Sequence, residues 1–336
     1  MLRFVSRRLF LLVLTAIGIT LVAFVISHVI PADPAVLIAG RNATPETLAL
    51  VRHQYGLDKP LVTQYVNYLA GVLHGDLGMS TYSRRPVAVD LLAYLPATVE
   101  LVCYAILAAV LIGVPLGVIS AIRKGGVVDH FSRIFAIGGS ALPLFWLGLL
   151  LQLVFCGWLK ILPLSGRLSP GYTPPPKFTG WYTIDSLLSG QFATFVNACE
   201  HIVLPAAVLT LASLSLIVRV TRSSMLEVLS QDYIRTSRTK GLSNRHVIVR
   251  HALRNALIAP LTLLGLQLGF LLSGAFLVEV VFSWPGIGFF SVHAMQGSDY
   301  IAIMGVTLVV ALIYSTINLL TDIAYLALDP RISYET

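Results

Sequence analysis

Residues 98–122 read TVELVCYAILAAVLIGVPLGVISAI, a stretch in which Glu100 is the one charged residue. Apolar residues fill this stretch without the periodic gaps that mark a half-exposed helix or strand of a soluble protein. Because an α-helix rises 1.5 Å per residue, about 20 such residues cross the hydrocarbon core of a bilayer. The stretch therefore predicts a transmembrane helix.

Comparable runs divide the rest of the 336-residue chain, which is 56% hydrophobic and 12% charged and has a mean hydropathy of +0.82. A soluble domain has roughly 45–50% apolar and about 25% charged residues. The composition thus predicts an all-α integral membrane protein with six transmembrane helices. Besides 98–122, the predicted spans are residues 9–30, 134–159, 201–221, 256–281 and 301–327.

The first run follows Arg3, Arg7 and Arg8 and so has the basic flank of a signal peptide. However, it is longer than the apolar region of a signal peptide, which has about 7–15 residues, and no A-x-A-like cleavage site closes it. We therefore interpret residues 9–30 as a retained first span.

Lysine and arginine residues are distributed unequally between the connecting segments. With the N-terminus placed in the cytoplasm, 15 of the 23 lie in cytoplasmic segments, eight of them between residues 219 and 254. Cytoplasmic loops of membrane proteins carry such an excess. The pattern predicts that both termini are cytoplasmic, and it accounts for the net charge of +7 without a nucleic-acid partner.

The sequence contains no motif of an enzyme. It has neither the G-x-x-x-x-G-K-[ST] loop of nucleotide hydrolases nor the H-E-x-x-H pair of metalloproteases. The tetrapeptide GGSA at 138–141 lacks the second glycine of the rhomboid-like Gly-x-Ser-Gly motif. Cys103, Cys156 and Cys199 are odd in number and far apart, which predicts neither disulfides nor a metal site. An energy source would therefore lie on another chain, since no series of carboxylates crosses the spans as in a proton-coupled carrier.

Proline and glycine interrupt spans two and three. Proline bends a helix by removing a backbone hydrogen bond, whereas glycine lets neighbouring helices approach closely. These residues indicate either tight helix packing or a pathway lined by bent helices.

Ionisable residues within spans are functional candidates by default. Glu100, Glu279 and His201 lie near span ends, where a structural or interfacial role is favoured. Asn318 and Asp322 share one face of span six, which indicates interhelical hydrogen bonds or, second, a translocation path. The candidate pathway or gate residues are Gly113, Pro115, Pro143, Glu279, Asn318 and Asp322.

Two segments on the predicted outer side are longer than simple connectors. Residues 31–97 contain Thr44-Pro45-Glu46, which has the pattern of a helix start, and the turn signal GDLG at 75–78. They predict a small extracytoplasmic element with short helices. The second segment, residues 160–200, contains three consecutive prolines at 174–176 and is called the proline-rich segment below. It is either a stiff connector or a loop presented to a soluble partner that delivers cargo.

Residues 222–255, the basic loop, connect spans four and five and carry seven of the 15 lysine and arginine residues assigned to the cytoplasm. Helix-compatible sequence runs from Ser224 to Lys240 and meets Gly241, which suits the left-handed position that ends a helix. Ser243 is an N-cap candidate for a second helix. These helix-end and helix-start signals predict two short helices joined at a bend.

The second predicted helix places Val249, Ala252, Leu253 and Ala256 on one face, with arginines on another. Attraction to anionic lipid is a common role for basic residues beside a membrane. Lipid attraction needs no ordered bend, however, so the predicted bend between two helices favours a surface that docks another protein.

Several motifs resemble those of one transporter family. The basic loop contains DYIRTSRTKGL (232–242) and HALRNA (251–256), which together resemble the EAA motif of ABC importers. Further matching motifs are YGLDKP (55–60), HGDLGMS (74–80), TRSSMLEVL (221–229), FSWPGIG (282–288) and DPRI (329–332). The chain resembles the permease subunits of bacterial dipeptide/oligopeptide/nickel ABC importers, particularly the dipeptide permease B type. It departs from the family at Ala32, where glycine is frequent, and at Ser237, where a second alanine is usual.

The resemblance implies a type I ABC importer transmembrane domain in the bacterial cytoplasmic (inner) membrane. Such a subunit forms half a pore with a homologous permease, as a heterodimer here. Two cytoplasmic ABC ATPases that carry ATP and Mg drive the pair, and an extracytoplasmic substrate-binding protein supplies it. The chain itself then needs no cofactor and contacts only these proteins and membrane lipid.

The resemblance also assigns regions and residues. Residues 1–97 would form the first span and the extracytoplasmic element, 98–330 the core permease with the EAA loop at 222–255, and 331–336 a cytoplasmic tail. The implied cargo is a dipeptide or short oligopeptide, with nickel chelates and glutathione-like solutes as alternatives. The implied ATPase-coupling residues are Asp232, Arg235, Arg238, Lys240, Gly241, Leu242, His251 and Arg254.

Overall fold

The fold is known from a computed structural model, which describes residues 2–29, 34–39, 43–54, 56–127, 129–130 and 142–328. These residues form helices joined by turns, with one isolated β-bridge between Met79 and Pro86. The helices are α1 (Leu2–Val29), α2 (Pro34–Ala39), α3 (Pro45–Gln54), α4 (Leu61–Leu73), α5 (Val87–Ile122), α6 (Leu144–Leu151), α7 (Tyr182–Leu188), α8 (Phe192–Leu229), α9 (Asp232–Thr239), α10 (Asn244–His246), α11 (Leu253–Ala256), α12 (Ile258–Val281), α13 (Ile287–Gln296) and α14 (Tyr300–Leu328). Two π-helical segments continue α6 and α10, at Gln152–Trp158 and Val247–Ala252.

The predicted all-α membrane fold is confirmed. Within the described residues, α1, α5, α8, α12 and α14 are long and apolar enough to cross a membrane. A shorter apolar helix, Leu144–Trp158, occupies the second part of the predicted third span. The first part of that span, with Gly138 and Gly139, lies outside the described residues.

Two of the spanning helices are longer than their apolar runs. Helix α5 has 36 residues and α8 has 38, or about 54 and 57 Å at 1.5 Å per residue. Since the hydrocarbon core is about 30 Å thick, both helices project beyond it.

Pro143 lies at the start of α6 rather than inside a helix. Its backbone is extended, with φ −60° and ψ 135°, and the helix begins at the next residue, Leu144. Within the predicted third span, the described part of the chain thus has non-helical backbone at Pro143, in line with the expected interruption there. An extended proline in front of a helix needs no backbone hydrogen bond to be broken.

The chain divides into two compact units. The first unit comprises Met1–Pro96 and Pro285–Leu319. Within it, Asp299 begins α14: one carboxylate oxygen accepts the Ala302 N–H, and the other accepts Ser80 Oγ at 2.6 Å. The carboxylate thereby fixes the turn before α5 to the N-terminus of α14.

The second unit comprises Ala97–Trp284 and Leu320–Thr336. In it α5 packs against α8 at two glycines. A methyl group added at Gly113 would lie 2.8 Å from Ile217 Cγ2, and one at Gly117 would lie 2.7 Å from Thr221 Cβ. The two helices therefore approach more closely than any other residue would allow, which supports the tight-packing interpretation of these glycines.

The helix contact at Gly117 gives a stability prediction. Gly117→Ala is expected to destabilise the chain by about 1–3 kcal/mol, because the new methyl group would also lie 2.9 Å from the Val218 carbonyl oxygen. Gly18→Ala is the matched control, since no atom lies within 4 Å of the added group and alanine favours a helix. Thermal unfolding of the two variants in detergent compares them, and equal midpoints would contradict the prediction.

Candidate functional site

The basic loop begins with a break that the sequence did not predict. Helix α8 ends at Leu229, and Gln231 is extended, with ψ 149°, before α9 starts at Asp232. Ser230 Oγ donates to the Glu227 carbonyl oxygen at 2.7 Å and so satisfies an acceptor that a continuing helix would use. The prediction of one helix from 224 to 240 is therefore wrong at residues 230–231.

The predicted bend at Gly241 is confirmed. Helix α9 ends at Thr239 with Lys240 as its C-cap, and Gly241 follows with φ +78°, in the left-handed region. The Gly241 N–H donates to the Arg238 carbonyl oxygen at 3.0 Å. The predicted N-cap is also confirmed, because Ser243 Oγ accepts the His246 N–H at 3.4 Å.

The prediction of the apolar face on the second helix of the basic loop is partly wrong. Val249 is 55% exposed, whereas Val247 and Ala252 are fully buried. Residues 247–252 form a π-helical turn, in which positions five apart share a face. The wider turn points Val247 inward and Val249 outward, an outcome that a 3.6-residue period cannot give.

The underside of the basic loop is an apolar cluster. Met225 of α8 is fully buried against Ile234 of α9 and against the π-helical turn. Asn255 Nδ2 also donates to Tyr233 Oη at 2.8 Å and links α11 to α9. The cluster consists of Ala121, Met225, Ile234, Val247, Ala252 and Ala256.

The opposite side of the basic loop is exposed and positively charged. The side chains of Asp232 and Arg235 are 96% and 80% exposed and lie 3.9 Å apart, so this ion pair contributes little to stability. Leu242 adds an apolar side chain that is 39% exposed, while His251 is half-buried beside His246. The exposed members of the predicted coupling set are Asp232, Arg235, Arg238, Lys240, Gly241, Leu242 and Arg254.

Asp129, which the sequence did not single out, is fully buried near the basic loop. It accepts Ser120 Oγ at 2.6 Å and the Gly125 N–H at 3.0 Å, and it binds the Arg222 guanidinium through Nε at 2.6 Å and Nη2 at 3.0 Å. Hydrogen bonds from Arg222, Ser120 and Gly125 hold the pKa of Asp129 well below its usual range and outweigh the effect of burial. We call these four residues the Asp129 clamp. No spacing signal could have found it, because Asp129 and Arg222 are 93 positions apart.

In the first half of α5, Glu100 is fully buried and paired with Arg167. Glu100 Oε1 also accepts the N–H and the hydroxyl of Thr183, at 3.0 and 2.6 Å. The Arg167 guanidinium lies 3.6 Å from the ring centroid of Tyr182. These contacts hold the proline-rich segment against α5 and support the structural role expected for Glu100.

Asp185 organises the proline-rich segment itself. Its carboxylate accepts the N–H groups of Thr179 and Gly180, each at 2.8 Å. Burial raises the pKa of this carboxyl, but the hydrogen bonds outweigh it and the pKa is lowered. Nearby, His201 Nε2 lies 3.0 Å from Ser169 Oγ. The proline-rich segment is thus held in shape by its own hydrogen bonds.

The pathway candidates lie in different surroundings. Gly113 is buried in the contact with α8, and Glu279 is buried and accepts Thr98 Oγ1 at 2.6 Å. Pro115 and Pro143 are exposed, and Asn318 is half-buried on α14. The Asp322 side chain lies outside the described part of the chain.

Comparison with known proteins places these features in a wider group. The family described as "Binding-protein-dependent transport system inner membrane component" matches residues 113–334, and its N-terminal counterpart matches residues 1–102. The chain is 47% identical to the probable D,D-dipeptide transport system permease protein DdpB of Escherichia coli (strain K12), over 96% of this chain and 94% of that protein. It is 44% identical to the dipeptide transport system permease protein DppB of the same strain, over the full length of both. It is 37% identical, again over both full lengths, to the glutathione transport system permease protein GsiC of Salmonella typhimurium.

Proposed function

The chain belongs to the family of binding-protein-dependent transport system inner membrane components, and from this membership we propose that it forms half of the translocation pathway of a dipeptide importer. It is a multi-pass permease subunit of the bacterial inner membrane and a transport component rather than an enzyme. The full-length match to a dipeptide permease is the observation that carries the proposal.

The proposed cargo is a dipeptide or short oligopeptide. Relatives named for dipeptide transport are 44–47% identical to the chain, whereas the relative named for glutathione transport is 37% identical. Identity therefore favours dipeptides over glutathione.

Permeases of this family work with a second permease, ATPase subunits and a substrate-binding protein. We propose a heterodimer of this chain with a homologous permease, and two cytoplasmic ATPases that hold ATP and Mg. The proposed topology has both termini in the cytoplasm, in line with the distribution of lysine and arginine. The basic loop then faces the ATPases, and the proline-rich segment faces the binding protein. The proposed regions are the first span with the extracytoplasmic element (1–97), the core permease (98–330) and a cytoplasmic tail (331–336).

The proposed ATPase contact is the exposed side of the basic loop, residues 232–254. Its apolar underside fixes the two arms of the loop to α5 and α8, so the bend at Gly241 is presented in one orientation. Leu242 supplies an apolar anchor at the tip, and the surrounding cations supply charge for an acidic cleft. A rigid and basic surface of this kind suits transmission of movement better than it suits lipid attraction alone.

Uptake by the reconstituted importer tests the proposed function. Proteoliposomes that contain this chain, its partner permease and both ATPases should take up labelled dipeptide when ATP and the binding protein are supplied. A proton uncoupler should leave the initial rate unchanged, because ATP hydrolysis drives the transport step. Uptake that persists without the ATPases would contradict the proposal, and labelled glutathione in the same assay compares the alternative cargo.

A further inference from the structure

The Asp129 clamp joins three stretches of the second unit. Ser120 lies near the end of α5, Gly125 lies in the turn that follows, and Arg222 lies on α8. The Asp129 carboxylate is fully buried and has hydrogen bonds to all three. One carboxylate therefore links the last part of α5 to α8.

Helix α8 connects the clamp directly to the basic loop. Arg222 lies about one helical turn before Met225, whose side chain is buried in the apolar underside of the loop. On the other side of Arg222, Thr221 is the residue that approaches α5 at Gly117. A displacement of the basic loop would therefore reach α5 through this turn of α8.

The chemistry of the clamp indicates that it sets the orientation of α5 and α8 and does not only stabilise the fold. A buried ion pair is weak evidence for stability, because apolar side chains of similar size hold helices together as well or better. A guanidinium bound to a carboxylate through two nitrogen atoms fixes distance and angle together. Ser120 and Gly125 occupy further acceptor positions of the same carboxylate and so fix its plane.

We propose that the Asp129 clamp is a positioning device that passes movement of the basic loop to α5. The inference rests on the proposed function of the basic loop as the ATPase contact. Asp129 and Arg222 act through the two helices and contact neither cargo nor nucleotide. Loss of the clamp leaves the importer able to hydrolyse ATP but lowers the uptake obtained per ATP.

The test compares Asp129→Asn, Arg222→Gln and Arg222→Lys in the complete importer, reconstituted with its partner permease, ATPases and binding protein. The readouts are complex assembly, ATP hydrolysis with and without binding protein, and dipeptide taken up per ATP. Asp129→Asn and Arg222→Gln are expected to lower uptake per ATP by about tenfold, a typical coupling effect. Arg222→Lys keeps the charge but loses the contact through two nitrogen atoms, so its uptake per ATP should be intermediate. Arg85→Gln, which removes an ion pair to Asp90 in the first unit, should match the parent.

Unchanged uptake per ATP in Asp129→Asn and Arg222→Gln would overturn the proposal. So would a parallel fall of hydrolysis and uptake in every clamp variant, which is what a purely structural role gives. If Asp129→Asn does not assemble, Arg222→Lys decides between the same two outcomes. If the parent importer does not transport the dipeptide, the proposed cargo is wrong, but stimulation of ATP hydrolysis by the binding protein still reports on the clamp.

Discussion

Gly241→Pro is expected to abolish uptake while the chain still inserts into the membrane and assembles. Gly241 has φ +78°, and proline is fixed near −65°. The substitution also removes the N–H that donates to the Arg238 carbonyl oxygen at 3.0 Å. A proline in an incompatible position destabilises the local structure by about 3 kcal/mol, which corresponds to about a hundredfold loss of the bent conformation. The initial rate of ATP-dependent uptake measures the effect.

Two further variants at this position separate backbone conformation from side-chain size. No atom lies within 4 Å of a methyl group added at Gly241, so any effect of Gly241→Ala comes from the backbone. A left-handed alanine costs about 1–2 kcal/mol, and uptake should fall about tenfold. Asparagine adopts this conformation more readily, so Gly241→Asn should lie closest to the parent. Normal uptake by the proline variant would show that the bend is not needed.

Glu100→Gln is expected to cause the largest loss of stability. The substitution leaves the Arg167 guanidinium buried, with 7% of its side chain exposed, and without its carboxylate. Removing one partner of a buried ion pair costs about 3–5 kcal/mol, a large part of the 5–15 kcal/mol that stabilises a typical domain. The amount of chain in the membrane and its thermal unfolding in detergent measure the loss.

The double variant Glu100→Gln/Arg167→Met is the matched control. It removes the buried charge together with its partner, and methionine can fill the space beside the rings of Tyr182 and Trp284. The double variant is therefore expected to be more stable than Glu100→Gln alone. A double variant less stable than the single one would show that the hydrogen bonds of Arg167, not charge compensation, stabilise this region.

The sequence predicted the membrane spans well but not the ends of the helices. A span depends on the local density of apolar residues, which is visible in one dimension. Helix α5 begins at Val87, before the predicted span, and its polar Asp90 has partners in the turn that precedes the helix: Asp90 accepts Ser83 Oγ and lies 3.6 Å from Arg85. Asp90 and Pro96 are residue types typical of a loop, so the early start of α5 was not predicted.

In the basic loop, the sequence correctly predicted the features that depend on the local preference of a single residue. Gly241 and Ser243 have strong local preferences, and the structure places both as expected. The π-helical turn at 247–252 is not a property of any single residue, so the orientation of Val249 was predicted wrongly. Pairs such as Glu100 with Arg167, 67 positions apart, depend on the completed fold and were not predicted.

Photo-crosslinking in the assembled importer tests whether the basic loop contacts an ATPase subunit. A photoreactive amino acid replaces either Leu242, 39% exposed in the basic loop, or Tyr172, 41% exposed in the proline-rich segment. We expect the probe at 242 to crosslink to an ATPase subunit and not to the binding protein, and the probe at 172 to give the reverse result. Absence of a crosslink from position 242 to the ATPase, in a complex that hydrolyses ATP, would show that the basic loop is not the ATPase contact.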